Sequence, residues 1–345
     1  MRVLIEGENL AGYLAKCHEA LRTGIRAQFD TRIHGRGYPR HWRWPRIRSY
    51  ADLVRRLCPD APPDLLLVDC DFPNEPRFRL RGLADAGVPT AFILADWWGI
   101  AEHHHDAFTA FVEEHRVHRV LSLFPQPIQR WAGSPIAHQL VWLPPCFDPS
   151  LFNDWRQPKR FDVGFLADGT VHPNLAFYPE RAEIHRRLLA RRDLRYLWAR
   201  HPGWNRHSTR HPLVGKNFSR AINSCRIFVT TGGIHRNPQP KIFEALASHA
   251  LLMSDEPVGA AALGLIDGKT YVRISPEDVE DKIDHYLAHP EHCERIAEAG
   301  YRLALARHSC YARALDLRRL VLTDASAPRQ GGALAPSPEP APGPA

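Results

Sequence analysis

The stretch RIFVTTGGIHRNPQPKIFEALAS, residues 226–248, decides the fold. Arg226 to Thr230 is an apolar run of strand length, Gly232 and Gly233 permit a tight loop, and the segment behind Pro240 opens a helix. A helix that starts beside the end of a strand presents open backbone N–H groups and the positive end of its dipole, which attract an anion such as phosphate. Glu244, in the first turns of that helix, supplies an acid that can accept hydrogen bonds from sugar hydroxyls. Both features also have plainer readings. An acid near a helix start complements the dipole, and adjacent glycines mark many ordinary turns.

Outward from this unit, the same strand and helix alternation recurs along the chain, the pattern of βα units around a parallel sheet. In the first half it predicts strands at Arg2 to Ile5, Leu65 to Val68, Thr90 to Leu94, Arg119 to Leu123 and Leu140 to Leu143. Helices are expected near Gly12 to Gln28, Tyr50 to Leu57, Arg77 to Ala86 and Ala107 to His115, with Thr31 to Arg48 fitting no period and read as a loop or insertion. In the second half, strands are expected at Phe161 to Leu166, Leu194 to Ala199, Leu251 to Ser254 and Tyr271 to Ile274. Helices are expected at Pro179 to Ala190, Gly215 to Ser224, Pro276 to Ala288, Cys293 to Arg307 and Tyr311 to Leu322. Prolines interrupt LPPCFDPSLFNDWRQPKR between the halves, so the chain divides into a first domain (1–147), a linker (148–160) and a second domain (161–323). Residues 324–345 are rich in Pro, Ala and Gly and are expected to be disordered.

Composition bounds the function. With 345 residues and 44% hydrophobic content the chain can bury two cores, and no apolar run approaches the roughly 20 residues of a membrane span. The start runs directly into a strand without a signal-peptide pattern, so cytoplasm is the expected location. Seven cysteines are scattered, and none is spaced C-x-x-C, so neither a disulfide framework nor a zinc knuckle is indicated. The net charge of +7 is spread over separate arginines, which suits phosphate-bearing substrates or peripheral contact with an anionic membrane face; no nucleic-acid partner is expected. A P-loop, a G-x-G-x-x-G fingerprint, a G-x-S-x-G elbow and an H-E-x-x-H element are all missing, which removes the usual support for NTPase, dehydrogenase and hydrolase readings.

The segments KIFEALASHALLMSDE and DGKTYVRISPEDVEDKIDHYLAHPEHCERIAEAGYRLALARHSCYARALDL, with the proline-rich crossing and the strand DVGFLADG at 162–169, resemble the second half of GT-B glycosyltransferases. Within these the likeness is to the group-1, CgeB-type branch. The resemblance implies an α/β GT-B fold, two Rossmann-like domains facing across a cleft with the final helix returning toward the first domain, ahead of the C-terminal tail that composition marks as disordered. It further implies sugar transfer from a nucleoside-diphosphate donor to an acceptor hydroxyl, without a metal or other cofactor and with retention at the anomeric carbon. By the same resemblance Glu244 holds the donor ribose, while Thr231, Gly232, Gly233, Arg236, Lys241 and Phe243 line the nucleotide-sugar site with Gly164 and Arg181. The cations of this loop, His235 included, would stabilise the leaving diphosphate in place of a metal.

Two positions depart from the pattern. The acid expected eight residues before the ribose Glu is Arg236, and the usual Gly after EALAS is His249. The first departure motivates a second reading, a catalytically degenerate GT-B protein that binds a nucleotide or glycan. In the first domain, which receives the acceptor in this family, Asp96 of Asp96-Trp97-Trp98-Gly99 stands at a strand end and is the candidate catalytic residue, as a base or hydrogen-bond partner for an acceptor hydroxyl. It also reads as a helix cap. Asp69-Cys70-Asp71 and His103-His104-His105-Asp106 are weak metal motifs, the first in the wrong half for a donor metal and the second because adjacent helical residues diverge. The acceptor, whether glycan, lipid, protein or metabolite, is not specified.

Overall fold

A computed structural model describes residues 1–9, 17–38, 47–69, 80–95, 97–167, 177–200 and 213–322. The first sheet is formed by β1 (Arg2–Gly7), β2 (Asp30–His34), β3 (Leu65–Asp69), β4 (Thr90–Leu94), β5 (Arg119–Ser122) and β6 (Leu140–Trp142). They lie in the order β2-β1-β3-β4-β5-β6 and every pairing is parallel. All residues of β3, β4 and β5 are buried, as expected of central strands covered on both faces, which is why they read as continuous apolar runs. Helices α1 (Cys17–Gln28), α2 (Tyr50–Leu57), α3 (Trp98–His103), α4 (His105–Glu114) and α5 (Gln126–Arg130) follow their strands. Ser49 starts α2 by accepting the Asp52 N–H at 3.1 Å.

The second sheet contains β7 (Phe161–Leu166), β8 (Tyr196–Ala199), β9 (Cys225–Thr230), β10 (Leu251–Ser254) and β11 (Val272–Arg273), in the parallel order β11-β10-β9-β7-β8. Its helices are α6 (Pro179–Ala190), α7 (Lys216–Asn223), α8 (Pro240–Ala247), α9 (Ala260–Leu263), α10 (Val279–Ala288) and α11 (Pro290–Leu303). A π-helical turn, Ala304–His308, leads into α12 (Cys310–Leu322). Both sheets therefore share one topology: the second strand is placed outside the first, and the third begins the other wing. The direction of winding switches between β1 and β3 in one sheet and between β7 and β9 in the other. Ligands of open α/β sheets bind beyond the carboxyl ends of the strands at such a switch.

Three expectations need correction. Thr31 to Arg48 does not begin as a loop, since Asp30–His34 pairs with β1 from Arg2↔Asp30 to Glu6↔His34. It is an edge strand, half exposed along its length, so it lacks the apolar run that betrays an interior strand. The helix expected over Arg77 to Ala86 is not formed in its described part: Gly82 adopts a φ of +68°, and Arg81 bonds in both directions with the Arg48–Tyr50 backbone. The helix expected from Ala107 starts at His105, and a separate α3 precedes it with a break at His104. His105 stacks on Trp131 with ring centroids 4.9 Å apart, so the three histidines do not converge. The 324–345 tail lies outside the described residues.

Helix α12 falls in the range read as the second domain, yet its buried side chains Cys310, Ala314, Leu317 and Val321 join the first core. Its approach depends on Gly24 of α1, where a Cβ would sit 1.9 Å from the Cys310 carbonyl oxygen. Two chain crossings thus join the domains, and they run side by side: Cys310 N–H donates to Phe147 O at 2.8 Å. Among the described residues no helix is long and apolar enough to cross a membrane. Cys58, Cys146, Cys225, Cys293 and Cys310 are buried thiols.

Candidate functional site

The carboxyl ends of β7 and β9 bring together most of the residues singled out from the sequence. Pro240 begins α8 after the loop that follows β9, and Lys241 in its first turn donates from Nζ to the Leu166 carbonyl at 2.9 Å, tying the end of β7 to the helix start. Arg181, in the first turn of α6, donates from Nε to Thr231 Oγ1 at 3.2 Å and from Nη2 to Thr231 O at 2.8 Å. Its guanidinium lies 3.6 Å over the Tyr178 ring. Arg236 is exposed at the rim of the same loop, so two anchored cations, Arg181 and Lys241, and one exposed cation border the switch point.

The glycine pair has a specific cause. A Cβ on Gly232 would meet the Asn237 carbonyl at 2.7 Å, and one on Gly233, at φ +74°, would meet the Phe177 carbonyl at 2.6 Å. The loop is closed on its own chain. The Gly232 N–H, expected to reach for a diphosphate, donates instead to Asp255 Oδ1 at 2.7 Å. Asp255 is 4% exposed, also accepts from Ser254 Oγ at 3.0 Å, and leaves Oδ2 buried without a partner. Burial pushes its pKa up against the bonds from Gly232 and Ser254 and the charges of Arg236 and Arg181.

Glu244 is half-buried on α8 and lines a cleft of about 160 Å³ between the domains, whose other walls include Glu19, Ala20 and Thr23 of α1 and Asp148 and Phe152 of the connecting segment. Two other candidates belong to packing. Phe243 is fully buried with its ring 4.5 Å from that of His308. Gly164 is interior to β7, where a Cβ would lie 2.5 Å from Cys225 Sγ. Asp96 lies outside the described residues. Both departures from the family pattern occupy left-handed backbone, Arg236 at φ +46° and His249 at φ +52°. That conformation explains the usual glycine at the second position. The His249 imidazole lies between carboxylates of Asp154 at 3.4 Å and Glu298 at 3.0 Å.

Across the cleft, the carboxyl edge of the first sheet carries a buried polar cluster that sequence reading missed. Asp69, at the end of β3, accepts from Arg22 and lies 2.7 Å from His18 Nδ1. Arg22 also donates to Glu19 Oε1 at 2.6 Å, Tyr38 OH at 2.9 Å and the Glu8 carbonyl. Burial raises the Asp69 pKa, but the charges of His18 and Arg22 outweigh it and hold the carboxyl well below the usual range. The signal was the Asp69-Cys70-Asp71 run; its first acid forms ion pairs here. Among the described residues no group of three or more His, Cys, Asp or Glu side chains is arranged to hold a metal.

The two rims also touch. Asn237, next to Arg236, accepts at Oδ1 from Gln126 Nε2 at 3.0 Å and Trp97 Nε1 at 3.4 Å, and Gln126 Nε2 donates to the His235 carbonyl at 2.7 Å. Trp97 stands just beyond β4 and Gln126 opens α5 beyond β5, so these bonds join the carboxyl rim of one sheet to the loop of the other.

Residues 180–319 match the family model described as glycosyl transferase-like, a range that holds Arg181, the Thr231–Gly233 loop, Arg236, Lys241 and Glu244. No curated protein matches the chain in sequence. Among solved structures, Alr3699/HepE from Anabaena in complex with UDP and glucose is similar at 12% identity and a TM-score of 0.57, covering 92% of this chain and 98% of that one. Sucrose-phosphate synthase from Thermosynechococcus elongatus is similar at 11% identity and a TM-score of 0.56, covering 93% and 98%. A glycosyltransferase from Rickettsia africae is similar at 10% identity and a TM-score of 0.56, covering 94% and 99%. At such identities the likeness establishes the fold: two Rossmann-like domains in the GT-B architecture, with a glycosyltransferase-like segment in the second half.

Proposed function

We propose that this protein is a nucleotide-sugar-dependent glycosyltransferase of hexosyl type, in the CgeB-type branch of the group-1 GT-B enzymes, working in the cytoplasm. The observation that carries the reading is the placement of the glycosyl transferase-like match on the switch point of the second sheet, with Arg181, Lys241 and Arg236 around the start of α8 and Glu244 facing the cleft between domains. Alr3699/HepE, similar in fold, is described in complex with UDP and glucose, and also with UDP-glucose, which supports a nucleoside-diphosphate sugar as donor.

In this reading Glu244 accepts hydrogen bonds from the ribose diol, and Arg181, Arg236 and Lys241 border the diphosphate. Catalysis comes from holding donor and acceptor in line and from stabilising negative charge on the departing diphosphate, with water excluded between the domains. The cations support metal-independent chemistry. The group-1 resemblance supports retention at the anomeric carbon, and Asp96 is assigned to the acceptor hydroxyl. The acceptor itself is a glycan, lipid, protein or metabolite hydroxyl, with contact at an anionic membrane face compatible with the net charge of +7.

The occupied Gly232 N–H and Arg236 in place of an acid favour the second reading, a GT-B protein that binds a nucleotide or glycan without turnover. Thermal stability against UDP, GDP, ADP and dTDP, free and carrying sugars, tests both. A ligand at a hundred times its dissociation constant adds about 2.7 kcal/mol of stability, a shift of several degrees. A selective shift followed by acceptor-dependent release of the nucleoside diphosphate supports the transferase, a shift without turnover the binding protein. No shift with any nucleotide contradicts the transferase and leaves the glycan-binding form of the second reading.

A further inference from the structure

We propose that Asn237 is a positioning residue through which the first domain holds the donor loop in shape, so that Trp97 and Gln126, in the acceptor half, set the affinity of the other half for its nucleoside diphosphate. The proposal rests on the transferase reading for the identity of the ligand.

The loop from Thr231 to Asn237 is fastened on its own side by main-chain bonds. Ile234 N–H donates to Phe177 O at 2.9 Å, Arg236 N–H to Gly233 O at 2.8 Å, and Val258 N–H to Arg236 O at 2.8 Å. These hold Arg236 in left-handed backbone, a conformation unfavourable for a residue with a Cβ. Its next neighbour, Asn237, is 2% exposed and is fastened to the other domain instead. Two donors from the ends of two different first-sheet strands converge on its single Oδ1. The same carboxamide of Gln126 grips the His235 carbonyl, and the His235 ring lies 5.2 Å from Trp97 and 5.9 Å from Phe177. Every cross-domain partner in this contact donates to the loop, so position 237 requires an acceptor.

The chemistry of the contact has a directional consequence. When the domains part, Asn237 Oδ1 and the His235 carbonyl lose their donors and Trp97 loses its cover, so the residues on both sides of Arg236 are released while its own main-chain bonds stay. Closing them fastens the residues that flank Arg236 and so steadies the loop that carries it. The first domain thereby contributes to donor binding without touching the donor, and an acceptor arriving beside Trp97 acts on the same bonds.

The test measures the dissociation constants of the four nucleoside diphosphates by calorimetry for the full-length protein and for Asn237→Leu, Asn237→Asp and the double variant Trp97→Phe/Gln126→Leu, with the melting temperature of each unliganded protein. Asn237→Leu matches the volume and has no acceptor; Asn237→Asp keeps an acceptor toward both donors. The expected result is about tenfold weaker binding for Asn237→Leu and for the double variant at a cooperative melt, with Asn237→Asp within about threefold of wild type. With the preferred nucleotide sugar, the loss should fall on the donor KM more than on kcat. Wild-type binding with Asn237→Leu and the double variant within about twofold overturns the proposal and leaves the transferase reading standing. Asn237→Asp as weak as Asn237→Leu also overturns it. No binding by wild type to any nucleotide overturns the transferase reading and this proposal together.

Discussion

Arg313 donates from Nη2 to Nδ1 of His308 at 2.9 Å, and because a guanidinium can only donate, the imidazole is neutral, with its Nε2–H on the Leu263 carbonyl at 2.8 Å. Leu263 belongs to the second domain and Arg313 to the helix that packs on the first, so this histidine bonds both sides of the crossing between them.

Burial and the charge of Arg313 hold the His308 pKa well below its ordinary 6.5. The unfolded chain therefore takes up a proton near pH 6.5 that the folded protein refuses, and stability present above that pH is lost as pH falls below it. Denaturant unfolding between pH 8 and pH 5 should show this loss. His308→Phe should flatten the slope while costing about 1–3 kcal/mol at pH 8, since Arg313 loses an acceptor.

Asp69→Asn removes the carboxylate facing Arg22, which is 2% exposed, and His18. Removing one partner of a buried ion pair costs about 3–5 kcal/mol, and Glu19 on the same guanidinium places the expected value near the lower end. Since the Asp69 pKa is depressed in the fold, its contribution is present above about pH 4 and is lost as pH falls through the folded value. A midpoint in urea that equals wild type at pH 7 would contradict this.

Gly24→Ala drives a methyl group into the Cys310 carbonyl, where a Cβ would stand at 1.9 Å, whereas a Cβ at Gly133 meets nothing within 4 Å. The first substitution should destabilise by about 1–3 kcal/mol or more, by forcing α12 away from α1. Gly133→Ala serves as the comparison and should lie within about 0.5 kcal/mol of wild type.

Glu244→Ala should weaken nucleotide binding by roughly tenfold to a hundredfold, the worth of a hydrogen bond to a charged group, with little change in melting temperature. The carboxylate is half-buried on a cleft wall rather than in the core, so its loss leaves the packing of α8 intact. Calorimetry with the nucleotide selected by thermal shift checks it, and unchanged affinity would remove the ribose role.

Asp255→Ala leaves the Gly232 N–H without its acceptor and should cost about 1–3 kcal/mol, while Asp255→Asn, which retains an Oδ1 for Gly232 and Ser254, should recover most of it. If both variants unfold at the wild-type midpoint, Asp255 does not brace the loop.

Much of the architecture was legible because interior parallel strands must be apolar on both faces. Thr90–Leu94, Phe161–Leu166 and Leu251–Ser254 coincide with their expected bounds. Tyr50–Leu57 and Pro179–Ala190 do so as helices, the first behind a serine cap and the second behind a proline start. Edge and turn elements were less legible: β2 is half exposed, and the glycine-broken segment at 80–87 imitates a helical period without forming one.

For the candidate site the division is similar. The amino-acid sequence by itself determined the strand, loop and helix from Cys225 to Ala247 and the presence of Lys241 and Glu244 at the helix start, because hydrophobic period, glycine and proline act over a few residues. Only the tertiary structure decided that Gly232 spends its N–H on Asp255, that Phe243 and Gly164 serve packing, and that Asp69 closes a buried cluster with His18 and Arg22. It alone joined Trp97 to Asn237 across 140 positions of chain. Local periodicity reports how deeply one element is buried, whereas a hydrogen-bond partner is set by which surfaces meet when two separately wound sheets close on each other.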